Sequence, residues 1–368
     1  MKTRKQTFLL ATALLLALGL MLLAGLKPKG FRIRNEVTWL KDTPGIAFGR
    51  MGIAYTEDSL TWSTSAGTPD RSLTIELSLK STRRYGYGIP YILSLWDGTA
   101  PDPLVVGQWK NHLVIRNRDP GSSRGYREIG ADNALPRDTT NLITIASCAD
   151  GTTVYVNGQR VEESRSVSLI PASGLSARLV MGNAATADAP WHGDLYGVTL
   201  FTGRLTSAEI SERYRAWDSL GRASLPNAPG ALAQYAFREG QGSAGNSAGG
   251  AHRLRIPRIF RILQLQVLSP PWKDFRFDAG TAEDAVVNLV GFVPFGYLMA
   301  ALLITGLSLK RHRAVALTVI TGLLLSLFIE LAQVWIPTRC SQMVDLMLNT
   351  FGAWIGALVA VRDRTVRQ

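Results

Sequence analysis

The chain has 368 residues, a formal net charge of +12, 46% hydrophobic residues and only 18% charged ones. That length suits two domains rather than one. The basic excess could suggest a nucleic-acid partner, but no nucleic-acid-binding module accompanies it and much of it flanks long apolar runs, so nucleic acid is excluded as a partner.

The first apolar run, residues 8–26, follows Lys2, Arg4 and Lys5. At ~20 residues such a run is long enough to cross a bilayer as a helix. We read 1–6 as a cytoplasmic tail and 7–26 as an uncleaved anchor. A cleaved signal peptide is the alternative, but the run exceeds most h-regions and no A-x-A site is clear. Both readings give the same downstream topology. A lipoprotein site would need a cysteine where Leu26 stands.

From 30 to 225 the texture changes to short alternating strands with turn signals. "RSLTIELSLK" sets Leu73, Ile75, Leu77 and Leu79 against polar neighbours, the pattern of a half-buried strand. "PYILSLWDG", "NHLVIRNRD", "NLITIAS" and "TTVYVNGQRV" repeat it. Asp150-Gly151 and Asn157-Gly158 predict tight hairpins, because those dipeptides accept positive φ at the centre of a turn. "TSAEISERYRAW" departs from the pattern: Ile210, Tyr214 and Trp217 have helical spacing, with Thr206 or Ser207 as N-cap. Strands at this spacing with little helix predict a sandwich or jelly roll.

The stretches "LTIELSLK", "ILSLWDG…GQWKNHLVIR", "ITIASCADGTTVYVNGQRV" and "WHGDLYGVTLFTGRLTSAEISERY" resemble the laminin-G-like members of the concanavalin A-like lectin/glucanase superfamily. The resemblance covers roughly half of the chain and implies glycan binding, in some relatives with calcium and in some with glucan hydrolysis. Hydrolysis needs two carboxylates across the scissile bond. The E-x-D-x-E pattern that supplies them in the glucanases is absent, and Glu76 has no partner at that spacing, so no glucanase is expected. Six of nine tryptophans, Trp39, Trp62, Trp96, Trp109, Trp191 and Trp217, fall in this domain. A tryptophan beside alternating apolar residues reads as core. Trp96 with Asp97, and Trp191 with His192, stand at strand ends or loops and are the candidates for stacking on a sugar. No metal-ligand spacing is present, and calcium stays open as an accessory ion only through the resemblance. Cys148 reads as a core or strand-end residue and Cys340 as a turn residue, without grounds for a bridge.

Residues 226–283 begin with a strand-like piece in which Tyr235 and Phe237 share a face, a candidate edge strand of the sandwich. They then turn Gly/Ser-rich and carry Arg253, Arg255, Arg258 and Arg261, the composition of a surface linker. Those arginines could meet anionic head groups or an acidic glycan. Trp272, after two prolines, suits an interface anchor.

Residues 284–361 form a second hydrophobic domain, with spans at about 286–307, 314–336 and 343–361 and a tail at 362–368. Lys310, Arg311 and Arg313 fill the loop between the first two of these, and Arg362, Arg364 and Arg367 follow the last. The positive-inside rule puts all basic groups in the cytoplasm, which four spans satisfy, and leaves the sandwich outside. Polar residues collect at one end: Asn288, then Glu330 and Gln333 one helical turn apart, Arg339 in the turn, then Asp345 and Asn349 behind a Ser341 N-cap. Glu330 should lie ~9 Å below the outer end of its span at 1.5 Å per residue. Asp345, Asn349, Gly352 and Gly356 form one stripe, and glycines four apart let helices approach closely, so the stripe should face protein. Burying a lone carboxylate in a bilayer costs at least ~2.5 kcal/mol. The six polar groups are therefore expected to satisfy one another around a pocket that opens outward.

"NLVGFVPFGY" and "ELAQVWIPTRCSQMVDLMLNTFGAWIG" are similar to the signature of the VanZ-like family of bacterial membrane proteins, over about the last 85 residues. That family usually has one more span before this core, a place residues 8–26 would fill. The resemblance implies a link to teicoplanin-type glycopeptide resistance without defining a reaction. Three functions stay open. One is a plasma-membrane envelope protein displaying a glycan-binding domain, with membrane lipids and an envelope glycan or glycopeptide as partners. A second is an outer-leaflet enzyme or transporter with Glu330 or Asp345 as general base and Arg339 gripping an anion. The third is a structural role. No nucleophile or metal set favours catalysis.

Overall fold

The computed structural model describes residues 2–26, 32–62, 71–82, 88–171, 173–222, 224–250, 252–271, 279–337, 339, 341–363 and 366. Cys340, Trp272, Arg364 and Arg367 lie outside them. The chain divides into two compact units, Ile33–Gln264 and a second made of Met1–Arg32 with Leu265–Gln368.

The first unit is a sandwich of two antiparallel sheets. One runs β1 (Val37–Trp39), β2 (Ile46–Phe48), β14 (Gly193–Phe201), β5 (Leu73–Ser81), β10 (Thr140–Cys148), β11 (Gly151–Val156), β12 (Gln159–Ser164), with β15 (Ala233–Tyr235) beside β14. The other runs β16 (Leu254–Arg255), β3 (Ala54–Thr56), β13 (Leu175–Met181), β6 (Tyr91–Trp96), β7 (Leu104–Trp109), β8 (His112–Arg118), β9 (Tyr126–Ala131), with β4 (Leu60–Trp62) also on β13. Leu73, Ile75, Leu77 and Leu79 join Leu93, Leu95, Val106 and Ile115 in one core, because alternate residues of each strand point to the same side.

The other face of β5 is buried too, so this strand is not half-buried. Helix α2 (Ser207–Ser219), with Thr206 and Glu209 in a reciprocal capping box, accounts for that. Glu76, fully buried, receives Arg213 Nε and Nη2 at 2.6–2.8 Å, and Trp217 Nε1 donates to Ser78 Oγ at 2.9 Å. Glu76 is a structural anchor of this helix.

The two hairpins differ. Asn157 (φ 52°) and Gly158 (φ 74°) form the two-residue turn between paired Val156 and Gln159. At Asp150-Gly151 the turn is displaced: Gly151 already pairs with Cys148, and Ala149-Asp150 makes the turn. Gly151 has φ 133° and a β-carbon there would run into the Ser164 carbonyl. The segment read as linker is folded as far as Gln264. β15 pairs with β14, β16 pairs with β3, and Phe237 and Leu254 enter the core. Burial of their apolar side chains outweighs the Gly/Ser-rich composition between them.

The second unit contains α1 (Lys2–Leu26), α3 (Ala279–Thr305), α4 (Arg311–Gln333) and α5 (Met343–Arg362), each long and apolar enough to cross a membrane. Phe8, Leu9, Leu15 and Leu20 of α1 are exposed, as on a lipid-facing span, while Leu14, Leu18, Met21 and Leu22 pack with Phe292, Phe295, Ile329 and Ala353. Gly352 lies against the Leu289 carbonyl, Gly356 against that of Val293, and Gly296 against Ala353 backbone. A β-carbon at any of the three would push α3 and α5 apart.

Helix α4 ends at Gln333, three residues short of 336, because Pro337 disfavours helical backbone before it and Ile336 N–H instead closes a tight turn on Gln333 O at 2.8 Å. Glu330 is thus about 4.5 Å from the helix end, at 1.5 Å per residue. Ser341 is not the N-cap of α5. Gln342 holds that position without a side-chain bond, and Ser341 Oγ accepts Leu268 N–H at 3.1 Å.

Candidate functional site

A cavity of about 430 Å³ opens in the helical unit where the C-terminal ends of α1 and α4 meet the first turns of α5. Asn288, Glu330, Gln333, Arg339, Asp345 and Asn349 all line it. Met21, Val287, Phe292, Ile329 and Leu348 supply an apolar wall, and Ser269, Pro270 and Pro271 border it.

Several of the polar groups reach backbone that helix ends leave unpaired. Glu330 is 1% exposed and its Oε2 accepts Gln342 N–H, the N-cap amide of α5, at 2.9 Å. Gln333 Nε2 donates to Gly25 O at 3.0 Å and Arg339 Nη2 to Ala24 O at 3.2 Å. Both are carbonyls in the last turn of α1, where the helix dipole favours a cation. Asn349 Nδ2 donates to Ser326 Oγ at 3.0 Å, but Asn349 Oδ1 is buried without a partner, and so is Ser269 Oγ.

Sequence reasoning missed Ser326, Gln342 and Ser269. Ser326 was within reach, since Thr318, Gly322, Ser326, Glu330 and Gln333 share the buried face of α4 at helical spacing. Gln342 and Ser269 act through backbone, as Ser269 N–H donates to Ser341 O at 2.8 Å and Met343 N–H to Ser269 O at 3.0 Å. No residue-type pattern reports such contacts.

In the sandwich, the two tryptophan candidates are engaged internally. Trp191 is fully buried, packs on Phe48 with ring centroids 6.0 Å apart, and donates Nε1 to Gln108 Oε1 at 2.8 Å. It is core and offers no face to a sugar; the loop that carries it folds inward. His192 beside it is half-buried. Trp96 is half-buried, donates Nε1 to Gln264 Oε1 at 2.9 Å, and packs with Tyr55, Val180 and Phe260. Asp97 is exposed, paired with Arg118, and accepts Thr99 N–H and Oγ1–H at 3.0 and 2.7 Å. Partial burial pushes its carboxyl up, but the Arg118 and Thr99 bonds outweigh this and hold it below the ordinary range. The structure does not bring these four residues together into one pocket. Among the described residues no group of three or more His, Cys, Asp or Glu is placed to hold a metal ion.

Fold and site define a membrane protein in two parts, an antiparallel β-sandwich and a helical membrane domain with a polar cavity near one end. Residues 235–364 match the VanZ/LLP1 family, and residues 55–211 match the concanavalin A-like lectin/glucanases superfamily. The chain therefore combines a concanavalin A-like domain with a VanZ-like one; the VanZ match begins inside the sandwich unit, at Tyr235. No curated protein matches the chain. Among solved structures it is similar to a heptameric SAP-like pentraxin from Limulus polyphemus (15% identity, 49% of this chain and 79% of that one, TM-score 0.34). It is also similar to the CBM40 of the Ruminococcus gnavus IT-sialidase bound to α2,3-sialyllactose (14%, 38% and 81%, TM-score 0.32). A third is the receptor-binding domain of botulinum neurotoxin type G (14%, 50% and 45%, TM-score 0.36).

Proposed function

We propose that this is a cell-envelope protein of the bacterial plasma membrane. Its β-sandwich binds glycan outside the cell, and its VanZ-like cavity opens to the same side and contributes to glycopeptide resistance of the teicoplanin type. One observation carries the orientation. The cavity lies at the C-terminal ends of α1 and α4 and the N-terminal end of α5, whereas Arg4 and Lys5, Arg311 and Arg313, and Arg362 occupy the opposite ends of those same helices. The positive-inside rule then supports an outward cavity. The concanavalin A-like domain supports glycan as the ligand class, with calcium as a candidate accessory ion.

The orientation is tested by labelling. In a variant with Cys148 and Cys340 replaced by serine, Pro337→Cys should react with a membrane-impermeant maleimide on intact cells; reaction only after lysis sinks the reading. Purified full-length protein on a glycan array, with and without calcium, tests the sandwich, and silence in both conditions ends the lectin assignment. Glu330→Ala, Arg339→Ala and Asp345→Ala, assayed for membrane abundance and teicoplanin susceptibility, separate the uses of the cavity. Normal abundance with altered susceptibility supports a ligand pocket; loss of abundance in all three supports a structural role.

A second reading, an outer-leaflet enzyme or transporter, draws on the presence of Arg339 and two carboxylates in one cavity wall. It assigns Glu330 or Asp345 as general base and Arg339 to an anionic group. Turnover of a supplied lipid or glycopeptide that disappears in Glu330→Gln is the outcome that would favour it.

A further inference from the structure

The cavity carries chemistry that points to a ligand class. We infer that it binds the phosphoethanolamine headgroup of a membrane lipid, an assignment that rests on the cavity being a ligand pocket as read above. Three features converge. First, the buried acceptor Asn349 Oδ1 lacks a partner in a residue only 4% exposed, and Ser269 Oγ, in a residue 5% exposed, lacks one as well. A buried polar atom left unpaired is costly, so a ligand that brings hydrogen-bond donors is favoured here. Second, the formal charges are one guanidinium, Arg339, against two carboxylates, Glu330 and Asp345. A headgroup that carries both a phosphate and a cation complements that set, with the phosphate on the guanidinium fork. Third, one wall is hydrocarbon, from Met21, Val287, Phe292, Ile329 and Leu348, and continues the polar lining into apolar surface.

These features discriminate among headgroups. Phosphocholine has the charge but no N–H to offer Asn349 Oδ1. Phosphoglycerol has hydroxyl donors but no cation for the carboxylates. A primary ammonium provides both, and the acyl chains suit the apolar wall.

Native mass spectrometry of the full-length protein in micelles tests the assignment. Phosphatidylethanolamine, phosphatidylcholine and phosphatidylglycerol with identical acyl chains are offered together. We expect phosphatidylethanolamine to be retained roughly tenfold over each of the others, the ratio that one charge-assisted hydrogen bond supplies. Asn349→Leu should remove most of the preference over phosphatidylcholine, and Glu330→Gln most of the preference over phosphatidylglycerol. Soluble O-phosphoethanolamine should not displace the lipid at equal concentration. Equal retention of the three lipids overturns the proposal, and needs no variant that might misfold. Displacement by the soluble headgroup overturns the lipid assignment in favour of a free ligand. Selective retention combined with a Pro337 position labelled only after lysis keeps this inference and removes the outward orientation. The reverse pair of results does the opposite.

Discussion

The Gln333 side-chain amide donates to the Gly25 carbonyl at 3.0 Å, joining the last turn of α4 to the last turn of α1 across 308 positions of sequence. Arg339 does the same at Ala24, 3.2 Å away. The first span is thereby tied to the VanZ-like core through its own unpaired carbonyls, and it supplies Met21, Ala24 and Gly25 to the cavity lining.

Replacing Gln333 by leucine leaves the Gly25 carbonyl without this partner. Interhelical hydrogen bonds in membranes contribute about 0.6 kcal/mol and up to about 1.7. We expect Gln333→Leu to lower stability by about 1 kcal/mol on that scale. Reversible unfolding in mixed micelles reads it, and an unchanged stability would show that the bond contributes nothing net.

Close approach of α3 and α5 leads to a larger effect. Gly356→Leu would force a side chain into the Val293 carbonyl and Tyr297 backbone. Overpacking of this kind costs about 1–3 kcal/mol, and more where backbone must move. Membrane abundance of Gly356→Leu should fall several-fold, whereas Gly19→Leu, with open space around it, should match the unaltered protein.

In the sandwich, Glu76 and Arg213 form a buried pair with side-chain exposures of 0% and 14%. Breaking a buried pair by removing one partner costs about 3–5 kcal/mol, because the other charge is stranded. Glu76→Gln and Arg213→Met should each destabilise on that scale, and the double variant by less than the sum. Additive losses in a double-mutant cycle would show that the two residues act independently.

Asp102 gives the sandwich a pH dependence. Burial raises its pKa to about 6, the neighbouring Asp97 and Asp188 charges add to that, and Ser94 and Arg118 partly oppose it. The carboxyl is therefore harder to ionise in the folded state than in the unfolded chain, where it titrates near 3.8. The native state holds the proton between those values, so this group's contribution to stability is full below about pH 4 and falls as pH rises through about 6. At about 1.4 kcal/mol per pKa unit the loss is of the order of 2–3 kcal/mol by pH 7. Melting temperatures of the purified protein should fall between pH 4 and pH 7 in the unaltered chain, and fall less in Asp102→Asn. Equal slopes for the two would remove Asp102 as the cause.

Local period and composition were enough to read several features. Four apolar stretches of bilayer length, strands such as 73–81 with alternating Leu and Ile, the Asn157-Gly158 turn, and the polar residues near the ends of the last spans all follow from spacing along the chain. Each depends on neighbours within a few residues, and a helix face or a strand face is set by that spacing alone.

What the sequence left undecided depends on residues distant in the chain. Arg213 finds Glu76 137 positions away, and only the docking of α2 turns a half-buried strand into one covered on both faces. Trp191 looks like a loop tryptophan until Gln108, 83 positions earlier, receives its indole N–H inside the core. Glycine- and serine-rich sequence hides two short strands because their hydrogen bonds come from partners elsewhere. In the helical unit, spacing placed the polar side chains on faces, but the tertiary structure decided that they would cap the end of α1, accept the first amide of α5, and leave Asn349 Oδ1 unpaired at a cavity wall. Backbone donors and acceptors carry no residue-type signature, so the partners of these side chains emerge only once the helix ends are set beside one another.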